Sequence, residues 1–200
     1  MKVLFATTNP AKIKKYADRL EEKGIELITI KDLDINLKVD ENGKDAIENA
    51  YIKAKTFYDA TQMITIGMDN NLFIENLPNE KQPGTHVRRI NGKELNDDEM
   101  IEYYTGLVKE NGERLKAKWV YGMVIYDGKE TKKYTWSRSE FYFLEKPCEK
   151  RNPGYPLDSI SFIPEYNKYL VELTDEERKQ GNSNYYENNV IEFIIDSIMK

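Results

Sequence analysis

The 200-residue chain has one cysteine, Cys148, and one histidine, His86. A lone cysteine excludes an internal disulfide and a zinc site built on cysteines. The lone histidine has no second His or Cys to share a metal with, and no evident nucleophile to activate. Excess positive charge is missing too. The 30 Lys and Arg against 35 Asp and Glu leave a net charge of −5, which opposes a broad nucleic-acid footprint or a polybasic membrane patch and still allows a small cationic pocket. No apolar run approaches the roughly 20 residues of a membrane span, and the opening MKVLFATTNP turns polar too early for a secretory signal. The phosphate-loop pattern G-x-x-x-x-G-K-S/T does not occur, nor do internal repeats, low-complexity tracts or Pro-rich linkers. With 40% hydrophobic residues the chain can bury a full core. The expectation is one cytoplasmic domain over residues 1–200, with neither nucleic acid nor membrane as a partner.

What is present reads first as alternating strands and helices. Lys2 to Ala6 is a short apolar run, followed by TTNP and by Ile13, Tyr16, Ala17 and Leu20 at helical spacing. Gly24 ends that helix, and IELITI reads as a second strand. After a polar connection, Asp45 to Thr61 carries Ile47, Ala50, Ala54 and Phe57 on one helical face. Asn49 and Lys53, four residues apart, share another face and point toward one ligand. MITIGM reads as a strand ending at Asp69, with Asn70-Asn71 as a turn and LFIENL as a brief strand beside it. Asn96 to Glu110 is a helix with an acidic first turn that suits the helix dipole. Two long β-rich arms flank Asp127-Gly128, a strong hairpin signal, and an amphipathic helix with Tyr186, Val190, Phe193, Ile194 and Ile198 on one face closes the chain. The fold class is α/β, a mixed sheet with a long antiparallel hairpin and two lobes around a central cleft.

Three segments carry chemistry. TTNPAK lies between a strand and a helix N-terminus, where unpaired N–H groups and the helix dipole favour an anion, so Thr7, Thr8, Asn9 and Lys12 are candidate phosphate contacts. The local alternative is an ordinary N-cap at Thr8 or Asn9 with Pro10 at the first helical position. Glu41 and Asp69 are carboxylates of the type that holds magnesium carried in with a nucleotide, an ion that needs only one or two protein carboxylates. The alternative is solvated surface. In PGTHVRR, Arg88 and Arg89 are suited to gripping phosphate, against the plainer reading of an exposed basic edge.

Taken in order, these segments resemble the inosine triphosphate pyrophosphatase family, which hydrolyses deaminated purine nucleoside triphosphates to monophosphate and pyrophosphate. The family's T-x-N-x-x-K is matched by Thr7, Asn9 and Lys12, with Lys15 where a Glu is usual. Its E-T-G-x-T-F-x-E-N-A-x-x-K-A is matched by ENGKDAIENAYIKA, which retains Glu41, Gly43, Glu48, Asn49, Ala50, Lys53 and Ala54. A-D-D-S-G-L becomes GMDNNL, keeping Asp69, with Met68, Asn70 and Asn71 replacing an acid, a hydroxyl and a glycine. PGTHVRR resembles P-G-x-x-S-A-R, and GYPLDSIS keeps Gly154, Asp158 and Ile160 of G-F-G-Y-D-P-I-F. IPEYNKYLVELTDEER places Arg178 where the family has a substrate-binding Lys. The family's S-H-R, which grips the purine, falls on Asn182-Ser183-Asn184, so that pair of charged contacts is absent.

The resemblance implies Asp69, Lys12 and Lys53 as catalytic residues and Glu41 with Asp69 as ligands of magnesium. It implies Thr7, Thr8, Asn9, Lys12, Asn49, Lys53, Asn70, Arg88, Asp158 and Arg178 as contacts of a nucleoside triphosphate such as ITP, dITP or XTP. It also implies a homodimer. The substitutions around Asp69 and the lost S-H-R leave two other readings open: a pyrophosphatase of altered base specificity, and a non-catalytic nucleotide-binding or regulatory protein on the same fold.

Overall fold

Parallel pairing explains why the first strand is apolar after Lys2. In a computed structural model that describes residues 1–137, 140–180 and 183–199, β1 (Lys2–Phe5) pairs in parallel with β2 (Glu26–Thr29) on one side and β3 (Thr65–Ile74) on the other. A parallel strand covered on both faces has no polar side to keep, and Val3, Leu4 and Phe5 are fully buried. Val3 and Phe5 pack with Tyr16 and Leu20 of α1 (Pro10–Glu21) and Val190, Ile191 and Ile194 of α5 (Ser183–Met199). Leu4 and Ala6 pack on the opposite face with Phe57 of α2 (Ala46–Thr61). The described chain divides into two units, Met1–Asn70 with Val120–Trp136 and Tyr185–Lys200, and Asn71–Trp119 with Ser137–Asn184.

In the first unit, α2 begins where its sequence dictates. Asp45 is the N-cap, its side chain accepting from Glu48 N at 2.9 Å, while Glu48 accepts from Lys44 N. Ala46, Ala50 and Ala54, four residues apart, form a flat stripe on this helix. Opposite them stand Gly67 and Gly122: a Cβ at Gly67 would lie 2.0 Å from the Ala50 carbonyl oxygen, and one at Gly122 would lie 2.7 Å from Ala46 backbone. The helix backbone therefore rests on the strands with no side chain between. The hairpin comes from β6 (Arg114–Tyr126) and β7 (Thr131–Ser137), which pair. Its turn is fixed by Asp127, whose Oδ1 accepts from the N–H groups of Lys129 and Glu130, and by Gly128 at φ +91°. The second arm is longer in sequence than β7: β8 (Phe141–Leu144) also pairs antiparallel with β6, at its N-terminal end.

The second unit packs its antiparallel strands, in order β10 (Lys168–Tyr169), β9 (Ser161–Ile163), β8 and the start of β6, with α3 (Asp97–Asn111). Tyr104, Val108, Leu72, Ile74, Phe143 and Ile160 form its buried core. A capping box between Asn96 and Glu99 starts α3. A short hairpin of β4 (Arg89–Ile90) and β5 (Lys93–Glu94) precedes it, and α4 (Asp175–Gln180) follows β10. Among the described residues no helix is long and apolar enough to cross a membrane.

One element departs from expectation. Asp69-Asn70-Asn71 is not a turn: β3 is a single strand of 10 residues that runs through it. Asp and Asn are poor strand formers because their side chains compete for backbone partners. Here Asp69 finds partners on α2, described below, and alternation sets Gly67 and Asp69 on the α2 face and Ile66 and Met68 on the other. Met68 is 4% exposed within the apolar cluster of Ile66, Met123 and Ile125, so the acid usual at this place in the resembled family would be buried among hydrocarbon.

The contact between α2 and the strands is testable by adding one methyl group. Gly67→Ala is expected to destabilise the protein by about 1–3 kcal/mol in urea denaturation, the range for overpacking. Gly106→Ala, where a Cβ on α3 meets nothing within 4 Å, is expected to stabilise by up to about 1 kcal/mol through helix propensity.

Candidate active site

The close approach of α2 to β3 brings four of the sequence-derived residues together. Lys53 Nζ stands 2.8 Å from Glu41 Oε2 and 3.4 Å from Asp69 Oδ1. Asn49, one helical turn earlier, donates from Nδ2 to Asp69 Oδ2 at 2.9 Å and accepts at Oδ1 from Gly43 N at 2.8 Å. Both Lys53 and Asp69 have side chains only 13% exposed, whereas Glu41 is 44% exposed. Each carboxylate oxygen of Asp69 thus has a partner on α2, and Glu41 reaches the same ammonium from the loop before that helix.

Lys12 joins this group electrostatically. Burial holds its ammonium below the usual lysine range, the charge of Lys53 pushes in the same direction, and Asp69 and Glu41 oppose both. The preceding TTN segment is organised as a helix start. Thr7 N donates to Phe5 O, Asn9 N to Thr7 Oγ1 at 3.2 Å, and Lys12 N to Asn9 Oδ1 at 3.4 Å, so Asn9 is the cap. Thr8 is exposed. TTNPAK is thus a helix start capped by Asn9, with the partly buried Lys12 in its first turn. Asn70 lies on the face of β3 opposite Asp69.

The remaining candidates lie in the second unit. Pro83 is buried, and Gly84, at φ +55°, accepts at its carbonyl from Leu72 N at 2.9 Å. Gln82 pairs with Ile74 as a strand would: Oε1 accepts from Ile74 N, and Nε2 donates to Ile74 O and Leu77 O. Arg88 donates to Asp97 Oδ1 at 2.9 Å and to Leu95 O at 3.0 Å. Asp97 Oδ2 accepts from Gly154 N at 2.7 Å. That N–H, with the Arg88 guanidinium behind it, holds the Asp97 carboxyl below the ordinary range. Arg88 and Asp97 therefore fasten PGTHVRR to the segment containing Asp158.

Asp158 is set by Asn152, whose Nδ2 donates to Oδ2 at 2.9 Å. Burial pushes the Asp158 carboxyl up, and the Asn152 bond and the charge of Arg178 oppose the shift. Arg178 is exposed and donates to the carbonyls of Leu170 and Leu173. His86 and Arg89 are exposed. Of the absent S-H-R segment, Asn182 lies outside the described residues, and Ser183 and Asn184 belong to the first turn of α5. The sequence offered no motif for Asn152 or Gln82, and Asp97 was legible only as an acid in the first turn of a helix.

Residues 3–184 match the Ham1 family. A protein of Aquifex aeolicus named dITP/XTP pyrophosphatase is 32% identical over 90% of this chain and 89% of its own length. A Bacillus subtilis protein of the same name is 28% identical over 88% of each chain. Among solved structures, the Staphylococcus aureus Ham1 protein superposes with a TM-score of 0.80 at 22% identity, covering 98% of this chain and 99% of that one. A HAM1 protein from Coxiella burnetii gives 0.82 at 19% identity with the same coverage. These structural likenesses establish the mixed α/β fold.

The depressed ammonium of Lys12 carries a sign for stability. Because the folded state releases this proton at lower pH than the unfolded chain, stability rises with pH through the lowered pKa toward the ordinary lysine range. The burial penalty is present in full below that window. Denaturation from neutral to alkaline pH should show this rise in the parent and lose it in Lys12→Met. In heteronuclear NMR, Lys53→Met should raise the Lys12 titration midpoint, since a neighbouring like charge is gone.

Proposed function

This chain belongs to the Ham1 family, and we propose that it hydrolyses non-standard purine nucleoside triphosphates, dITP, ITP and XTP, to the monophosphate and pyrophosphate. The observation that carries the reading is the convergence of Lys12, Glu41, Lys53 and Asp69 on one partly buried place beside a capped helix N-terminus. Two cations and an N-terminus suit a polyphosphate, and a carboxylate held among them suits the activation of water. The relatives named dITP/XTP pyrophosphatase supply the substrate class.

A divalent ion fits the donor set. Glu41 and Asp69 already share one cation, the Lys53 ammonium, and among the described residues no cluster of three or more His, Cys, Asp or Glu exists. Glu41 and Asp69, two hard carboxylates, would hold a magnesium ion carried in with the nucleotide. When bound, the ion neutralises phosphate charge and polarises the phosphoryl group. Asp69 orients the attacking water at the α-phosphorus and accepts its proton. Lys12 and Lys53 stabilise charge on the departing pyrophosphate, and Thr7, Thr8 and Asn9 contact phosphate at the start of α1. Asn70, on the face of β3 opposite Asp69, and Arg88, engaged by Asp97 and Leu95, take no assigned contact in this reading. Asp158 and Arg178 address the base or sugar, and without the S-H-R contacts they carry more of that discrimination. A homodimer in the cytoplasm completes the proposal.

The test is pyrophosphate release from a panel of ITP, dITP, XTP and the standard triphosphates with magnesium present. The deaminated purines are expected to be the fastest substrates, and a silent panel would overturn the reading. Asp69→Asn should lower kcat by about 10²–10⁴-fold, the range for a positioned general base, with the fold retained by circular dichroism.

A further inference from the structure

Asn49 is 1% exposed, and both ends of its amide are engaged inside the protein. Its orientation is settled by the chemistry of its neighbours. The backbone N–H of Gly43 can only donate, so the atom it meets is Oδ1, and the atom turned to Asp69 must be the NH₂ donor. A carboxylate oxygen accepting that bond is fixed in direction. Asp69 therefore presents Oδ1 to Lys53, the cation it shares with Glu41.

The other end of the amide acts on the Glu41 loop. Gly43 lies two residues after Glu41, and a Cβ on it would stand 2.7 Å from Asn49 Oδ1. The absence of a side chain at Gly43 is what lets the loop backbone reach this amide. Its φ is not in the left-handed region, so contact and not backbone conformation imposes the glycine.

We infer that Asn49 is a positioning residue that clamps the Glu41 loop to Asp69 and sets the direction of the Asp69 carboxylate, in place of the substrate contact expected from the sequence. The inference rests on the reading of Asp69 as the water-activating group. Asn49 acts through Asp69 and Gly43 and touches no reacting atom. Positioning partners of this kind typically change activity by about 10–100-fold. The polarity of the amide is the active feature: an acceptor in place of its NH₂ would face a carboxylate with a like charge.

The experiment pairs a shape-preserving variant with a truncation. Asn49→Asp and Asn49→Ala are assayed with the magnesium complex of the fastest triphosphate, rates being normalised to the folded fraction from thermal unfolding. Both are expected to lose kcat by about 10–100-fold with KM within about threefold of the parent, and the isosteric Asp variant should be at least as impaired as Ala. Gly43→Ala, which displaces the amide from the opposite end, should give the same pattern and serves if either Asn49 variant fails to fold. In side-chain NMR the Asn49 amide protons should be protected from exchange in the parent and exchange at least about tenfold faster in Asp69→Ala, as expected when a charge-assisted bond is lost. A KM raised tenfold or more at unchanged kcat would make Asn49 a substrate ligand and overturn the inference. An active Asn49→Asp beside an inactive Asn49→Ala would reduce it to packing, and an unprotected amide in the parent would remove the clamp. If the parent releases no pyrophosphate, the functional reading fails while the exchange measurement still decides the clamp.

Discussion

The contact that everything else at this site depends on is the bare meeting of α2 with the strands beneath it. Ala46 and Ala50 lie over Gly122 and Gly67 so closely that neither glycine has room for a Cβ. Most helix-on-sheet packing interposes a layer of side chains, which pushes functional groups of the two elements apart. Here that layer is missing along one stripe, so Asn49 and Lys53, each one residue before an alanine of the stripe, reach the α2 face of β3 with short side-chain excursions. Asp69 follows Gly67 on that face by strand alternation. The alanines and glycines of ENAYIKA and ITIGMD are thus part of the same device as the charged residues between them.

Electrostatics then decides what such a cluster tolerates. An isolated charge this poorly solvated would cost several kcal/mol, and the four charges present divide evenly, Lys12 and Lys53 against Glu41 and Asp69. Lys12, the member for which burial wins, is held below the ordinary lysine range even with two carboxylates opposing. On the proposed chemistry this balance has a use. Lysines that turn to a polyphosphate leave two carboxylates in need of a cation, and a metal-bound nucleotide delivers one with its own negative charge already reduced. On the proposed chemistry, substrate and protein would then be complementary when the ion accompanies the phosphates.

The parts of the fold legible in the sequence were those fixed by neighbours a few residues away. The Asp45 start of α2, its Ala50–Ala54 face, the Asn96 start of α3 and the Asp127-Gly128 turn are each recorded by a local pattern within about a helical turn. The β3 strand was not legible past Asp69, because Asp-Asn-Asn has turn chemistry and only α2 and the neighbouring strands override it. Asp97 illustrates the same limit at long range. It reads as an ordinary first-turn acid, yet its Oδ2 binds the backbone of Gly154, far along the chain. Lys12, Glu41, Lys53 and Asp69 were legible as candidates through the family resemblance, but nothing in their spacing revealed that Asn49 would use both ends of its amide within the protein.

The same contrast bears on the residues assigned to the phosphates and to the base. Residues assigned to the phosphates sit on α2, β3 and the start of α1, elements whose positions are over-determined by buried neighbours such as Ala50, Ala54 and Leu4. A substitution there must satisfy the packing as well as the chemistry, and Met68 shows the outcome when packing prevails. Residues assigned to the base sit on short segments: Asp158 in a single turn held by Asn152, and Arg178 on a six-residue helix with an exposed side chain. Such positions exchange side chains at little cost to the core. Packing therefore constrains the phosphate side without freezing it: β3 departs from the family pattern at Met68, Asn70 and Asn71 while Lys12, Glu41, Lys53 and Asp69 are retained, and the S-H-R contacts are replaced as well.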